Sequence, residues 1–483
     1  MNHQTLDANI KDHPLWTSTG DMTWTSPNPY LSGNYAPVGR EIVDEDLLVV
    51  SGRIPEDLKG AYMRNGPNPL FLPISYAYPM DGDGMVHAVF LDHGRARYRN
   101  RFVRTNSFQA ERRIGHAIYG SFTAPQPVDP AMLLPGENPG PMKNGAFINI
   151  IRHGGQLLAL NEATTCYALS MELDTLGEWK AGTDRPIRMG AHNRHHPLTG
   201  SMFSIAYTWR SADVLIHEID AQGKLKKTLT VSLPAPTMIH DFILTVRHVV
   251  VLAGPAVFDI EAAREGRSLL QWKPALGMRI CLIPLDGGPC QWIETDAFFV
   301  FHFANGFERG DEIVLDYVHH ESLELDHLGA KATTFRRMVI DIPRRTARST
   351  EFAGFDVEFP RINDAFEATS NRYAYMPTSA LTTSPSNPSP GAQNALLKFD
   401  TERGMQYRHD FGDKMIGEAA FIPSPGGSRE DDGYLAVFCY DTQGRHSDFV
   451  LLNAARIEAA PVAVVRLPQR VPQGLHGNWI TGD

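Results

Sequence analysis

Cysteine is scarce in this chain. Cys166, Cys281, Cys290 and Cys439 are spread over 483 residues with no paired CxxC spacing, which excludes a disulfide scaffold and a zinc ribbon. They read as reduced residues with packing roles. Long apolar runs are missing too: no stretch approaches the roughly 18 residues of a membrane-crossing helix, so any membrane contact is expected to be peripheral. Residues 1–20 carry Asp7, Lys11, Asp12 and His13 and no hydrophobic segment of signal-peptide length, so a cytoplasmic location is the expectation. Positive charge is in deficit as well. A net charge of −10 offers no basic stripe for phosphates, which argues against a nucleic-acid partner. Helical periodicity is rare, with residues 260–265 making a turn or two and little else sustaining a 3.6-residue apolar stripe.

What the chain does have is β patterning. Hydrophobic residues make up 42% and charged residues 21%, enough for a substantial core. Residues 87–91 and 96–104 flank Asp92-His93-Gly94, and residues 147–151 and 156–160 flank Gly154-Gly155, so both pairs read as hairpins. Residues 214–219 and 225–231 surround Asp220-Ala221-Gln222-Gly223. Residues 434–440 and 448–452 surround the nearly identical Asp441-Thr442-Gln443-Gly444, which suggests repeated antiparallel units. No linker separates domains, so one closed all-β structure such as a propeller is expected. Two long irregular loops stand out, residues 123–143 with six prolines and residues 377–392 with four; the first is expected near a substrate entrance.

Four of the nineteen histidines sit at strand ends beside glycine or apolar residues: His192 in Gly190-Ala191-His192-Asn193-Arg194, His240 in Met238-Ile239-His240-Asp241-Phe242, His302 in Phe301-His302-Phe303-Ala304-Asn305-Gly306, and His476 in Gly474-Leu475-His476-Gly477-Asn478-Trp479. In such places an imidazole is partly buried and fixed. Taken singly, each is more often a hydrogen-bonded structural histidine than a metal ligand, and the spacing forms no local motif. A closed ring would let strands distant in sequence converge on one axis.

From about Leu47 to the C-terminus the chain resembles the carotenoid cleavage dioxygenase family. The segments that carry the resemblance are Arg64-Asn65-Gly66-Pro67-Asn68-Pro69, Asp81-Gly82-Asp83-Gly84-Met85-Val86-His87, Met238-Ile239-His240-Asp241-Phe242 and Val471-Pro472-Gln473-Gly474-Leu475-His476-Gly477. The resemblance implies a seven-bladed β-propeller over residues 41–483, behind an N-terminal extension of residues 1–40. A dome of loops and short helices would cover one axial Fe(II) per chain, held by His192, His240, His302 and His476. It also implies carboxylates orienting three of these imidazoles, at Glu162, Glu418 and Asp448, the last standing where glutamate is frequent. A carboxylate that accepts the outer N–H of a ligand imidazole fixes its tautomer and raises its basicity.

The resemblance further implies O2-dependent cleavage of a carbon–carbon double bond of an apolar small molecule, a carotenoid or apocarotenoid, into two carbonyl products. Stilbene or phenylpropenoid cleavage is the alternative. Relatives that split stilbenes place a lysine before the first of these glutamates, and this chain has Asn161, a neutral amide that cannot stabilise a phenolate as an ammonium can. Ile148 stands where many relatives carry threonine facing the metal. Phe71, Phe108, Ile148, Asn161, Phe303, Phe307 and Trp479 are the expected substrate-lining residues. Phe71-Leu72-Pro73-Ile74 and Met132-Leu133-Leu134-Pro135 are candidate membrane-facing patches.

Overall fold

The computed structural model describes residues 22, 25–77, 79–122, 124–265, 267–323, 332–353, 356–380 and 391–482. Alternation in the sequence becomes alternation in burial. Along Arg95–Phe102 the side chains at Ala96, Tyr98, Asn100 and Phe102 turn inward while the intervening arginines reach toward solvent. That strand pairs with Met85–Asp92 through His93 (φ 46°) and Gly94 (φ 72°), two left-handed residues whose twist matches that of the strands. Asn149–His153 and Gln156–Leu160 pair in the same way across Gly154 and Gly155, at φ 57° and 76°.

Seven antiparallel sheets of three or more strands follow one another along the chain and form the blades of a propeller. The second to sixth begin at Asn149–His153, Asn193–His195, Ile243–Leu244, Phe303–Arg309 and Tyr373–Thr378, and in each the first strand is the innermost. The ring closes twice. The last strand, Gly477–Thr481, pairs with Gly60–Arg64 in the first blade, and Val49–Gly52 from the N-terminal region pairs with Ala463–Arg466 in the seventh. The core lies between blades: Ile243, Val250 and Ile280 of the fourth pack against Phe303, Ile313 and Leu315 of the fifth. Among the described residues the apolar clusters span neighbouring blades, so burial of apolar surface drives closure of the whole ring.

The expected hairpins and the short helix at Ile260–Arg264 are present. A second helix, Asn106–Ile114, was not expected, because only Phe108, Ala110 and Ile114 are apolar in its nine residues. Its boundaries are nonetheless marked, by Thr105 accepting the Phe108 N–H at 3.1 Å and by left-handed Gly115 at φ 92°. This helix and the loop after it form part of the cover over one end of the axis. Residues 381–390 of the second proline-rich loop lie outside the described residues. Among the described residues no helix is long and apolar enough to cross a membrane.

Candidate metal centre

Each of the four histidines stands just before the innermost strand of its blade: His192 before Asn193–His195, His240 three residues before Ile243–Leu244, His302 before Phe303–Arg309 and His476 before Gly477–Thr481. The innermost strands of a ring line its axis, so residues just ahead of them, up to 284 positions apart in sequence (476−192), meet there. All four are buried, and one ligand nitrogen from each lies within 4.8 Å of the others. Their rings face one another edge to plane, with His192 and His476 at 83° and 4.6 Å between centroids.

Backbone contacts hold the four in register. Gly66 and Gly474 touch, and a Cβ on Gly66 would stand 2.7 Å from the Gly474 Cα. That approach lets Asn65 donate its N–H to the His476 carbonyl and accept from Leu475. Asp241 ties the other three segments together. Its Oδ2 lies 2.6 Å from Arg194 Nη2 and accepts the Phe303 N–H at 3.0 Å, so one buried carboxylate links the segments of His192, His240 and His302. The sequence reading quoted Asp241 within its motif and missed this role.

Carboxylates contact three of the four imidazoles. His476 Nδ1 lies 3.0 Å from Glu418 Oε1, and Glu418 Oε2 accepts the Gly477 N–H at 2.8 Å. His240 Nδ1 lies 2.8 Å from Glu162 Oε2, an ion-pair approach without good hydrogen-bond alignment, while Tyr207 donates to Glu162 Oε1 at 2.6 Å. The third carboxylate is Glu358, whose Oε2 lies 2.5 Å from His302 Nδ1. Asp448, expected in that place, is elsewhere: it sits on the strand His446–Asn453 of the seventh blade and pairs with Arg466 Nε at 2.6 Å. Glu358 falls between strands and outside any patterned segment, so nothing local in the sequence marked it. Among the described residues no carboxylate reaches ion-pair distance of His192.

With Nδ1 of His240, His302 and His476 turned to carboxylates, the Nε2 atoms converge. His302 Nε2 is buried with no hydrogen-bond partner among the described residues, and His192 Nε2 lies 3.1 Å from His240 Nε2. Two lone pairs at that distance repel unless a cation sits between them or one nitrogen carries a proton. Metal–imidazole bonds of about 2.1 Å allow nitrogen separations up to roughly 4.2 Å, so a contraction of about 0.6 Å from the 4.8 Å spread would let one ion take all four. The residues present therefore fit a nitrogen-ligated transition metal.

The electrostatics agree with neutral imidazoles at His192 and His476. Burial, with the neighbouring imidazoles adding to it, holds His192 well below the usual histidine range, and burial likewise lowers His476. Burial opposes charge on His240 too, but the surrounding carboxylates, Glu162 foremost with Asp241 and Glu358, together outweigh it and raise that histidine. Glu358 and Glu418 are buried, which alone would push them up. Imidazoles beside Glu358, and Arg361 with His476 beside Glu418, hold both below the usual carboxylate range, Glu418 at about 2.

Two kinds of space meet the cluster. On the dome side a cavity of about 160 Å³ is walled by His240, His302 and His476 together with Ile148, Phe301, Phe359, Met80 and Leu475. A second cavity, of about 530 Å³, shares Met80 and Ile148 and is lined by Asn161, Glu162, Phe122, Trp209, Phe258, Asn144 and residues 136–143 of the first proline-rich loop. On the opposite face a polar cavity of about 360 Å³ reaches His192, His302 and His476 between Arg194, Asp241 and Glu367.

Of the expected substrate residues, Ile148 and Asn161 line the dome-side space. The other five do not. Phe71 and Phe108 pack with Phe102 and Met85 in a separate cluster, Phe303 and Trp479 border the polar cavity, and Phe307 is buried beside Arg337. Isolated aromatic residues near a motif are most often core, whereas Phe301 and Phe359 were found only when the chain was closed. In the candidate membrane patches Leu72, Ile74 and Leu134 are exposed, whereas Phe71 is buried and Leu133 packs against a cluster of Ala110, Ile118, Tyr119 and Val128.

The sequence profile described as retinal pigment epithelial membrane protein matches residues 35–481. Over 499 residues the chain is 32% identical to the apocarotenoid-15,15'-oxygenase of Synechocystis, covering 96% of this chain and 98% of that one. To the carotenoid 9,10(9',10')-cleavage dioxygenase 1 of Pisum sativum it is 30% identical, covering 95% and 91%. The crystal structure of Pseudomonas brassicacearum lignostilbene dioxygenase superposes with a TM-score of 0.85 at 25% identity, covering 95% of this chain and all of that one.

Proposed function

Since this chain belongs to the retinal pigment epithelial membrane protein family of carotenoid cleavage oxygenases and is a dioxygenase, we propose that His192, His240, His302 and His476 hold one Fe(II) and that the enzyme splits a double bond of a carotenoid or apocarotenoid into two carbonyl products. Both atoms of O2 enter the products, C=C + O2 → 2 C=O, so no outside reductant is consumed. Iron(II) there would supply the one-electron chemistry by which ground-state dioxygen reacts with an alkene.

The chain's own residues bind, orient and exclude water. The observation that carries the reading is the dome-side cavity, where apolar side chains face three of the histidines and a water-poor site could seat a polyene against them. Ile148 borders this space, filling with bulk a position where a hydroxyl would offer a hydrogen bond. Glu162, Glu358 and Glu418 accept from or pair with the outer nitrogens and keep the inner ones deprotonated. Tyr30 and Tyr35, from the region assigned to a residue 1–40 extension ahead of a residue 41–483 propeller domain, also line the cavity.

Stilbene cleavage is the second reading, favoured by the likeness to the lignostilbene dioxygenase. Against it stands Asn161, whose amide lies 3.3 Å from Asn144 Oδ1 in the larger cavity and offers a phenolate no charge. Incubating the iron-loaded protein with a panel of polyenes and a hydroxystilbene decides the matter. Paired polyene-derived aldehydes in the mass spectrum support the first reading, and aromatic aldehydes alone support the second.

A further inference from the structure

Glu162, Glu358 and Glu418 each spend one oxygen on a histidine of the cluster, and each is held at its other oxygen by a donor from outside it. For Glu162 that donor is the Tyr207 hydroxyl, at 2.6 Å. For Glu418 it is the Gly477 N–H at 2.8 Å, with Arg361 Nη1 3.4 Å from the oxygen facing His476. For Glu358 it is a fifth histidine. His320 Nε2 lies 2.8 Å from Glu358 Oε1, while Oε2 meets His302 Nδ1 and the Phe359 N–H, each at 2.5 Å.

We propose that His320 is a positioning residue of the metal centre, holding Glu358 so that His302 presents Nε2 to the ion; this rests on the metal-binding reading above. His320 is itself tied to the segment that carries His302. Its backbone exchanges both hydrogen bonds with Phe299, at 2.8 and 2.9 Å, and its ring meets Phe301 edge-on at 5.2 Å. Phe301 immediately precedes His302, so Phe299, His320, Glu358 and His302 form a closed circuit of contacts. Within it both carboxylate oxygens are occupied and the carboxylate cannot rotate. Without the His320 donor, one oxygen of a carboxylate whose side chain is only 19% exposed loses its partner. The group would then turn toward the dome-side cavity, which Glu358 and His320 both line, and release the His302 ring.

The test uses the full chain, His320→Phe to remove the donor while keeping the ring, and His320→Gln to restore an N–H donor without one. The probes are Co(II), followed by its visible ligand-field absorption, and Fe(II), followed by its rate of loss to a chelator under anaerobic conditions. We expect His320→Phe to lose iron about tenfold or more faster than the parent and to shift the cobalt band, and His320→Gln to stay within about threefold of the parent. Parent-like spectrum and release in His320→Phe overturn the proposal. So does equal impairment of the two variants, which would mark a packing role. A parent protein that takes up neither metal overturns the metal-centre reading itself, a result distinct from either.

Discussion

His240 is the imidazole of the four that Glu162 draws toward the protonated state, while burial keeps His192 and His476 neutral. A metal needs the unprotonated nitrogen, so retention falls as pH drops, and His240 competes before His192 and His476. Glu162→Gln removes the group that raises His240. Its plateau affinity should drop about 10- to 100-fold through the loosened ring, yet its loss of metal should begin at a lower pH than the parent's. Metal retention titrated from neutral to acid checks this, and an onset at higher pH contradicts it. A second residue titrates for a structural reason. Asp81 is pushed up to about 7 by burial, despite accepting the Phe122 and Ala77 N–H groups. Its folded value exceeds its unfolded one, so the folded state binds more protons and this group's contribution to stability is lost as pH rises from about 4 through 7. Asp81→Asn should therefore gain on the parent in thermal unfolding temperature as pH increases across that window, and a constant gap argues against it.

At the scale of elements, what mattered most was the strand to which each histidine leads. Gly477–Thr481 closes the first blade and immediately follows His476, so closure and one candidate ligand are the same event. Deleting residues 477–483 removes the buried Ile480, worth about 1.5–3 kcal/mol, together with a full strand of backbone pairing. The truncated chain should lose metal although His476 remains, as equilibrium dialysis against Fe(II) would show. The exposed Leu72, Ile74 and Leu134 are the parts of the apolar loops free to meet a bilayer. Leu134→Asp should weaken flotation with liposomes without changing thermal stability, whereas Leu133→Asp, beside Ala110 of the helix and Val128, should change both. Strands were legible because their alternation is local. The helix Asn106–Ile114 was not, because a short amphipathic turn rich in arginine shows little periodicity even with Thr105 and Gly115 at its ends.

Across the whole molecule, the readable and unreadable parts of the site divide by locality. Hairpin turns such as His93-Gly94 declare themselves in two residues. Convergence of His192, His240, His302 and His476 depends on ring closure, which no window of sequence contains, and it was reached through resemblance in the four motifs. Glu358 and His320 stand outside those motifs. Glu358 enters the site from the connection after the fifth blade and His320 from the end of a second strand, so their roles came into view only with the closed ring. Asp448 failed as a partner because position along the chain says nothing of which blade edge a carboxylate ends on; Arg466 and Lys414 hold it on the seventh. The aromatic residues show the same limit, since Phe301 and Phe303 flank His302 in sequence and line opposite faces of the axis.

The measurement that bears most directly on the central claim is iron content after anaerobic Fe(II) loading and removal of excess metal, in the parent and in His240→Ala. The account predicts close to one iron per chain in the parent. It predicts almost none in the variant, with an unchanged β-type circular dichroism spectrum, because the blades pack through their apolar faces and not through the ion. A parent that retains no iron, or a variant that retains as much as the parent, would contradict it.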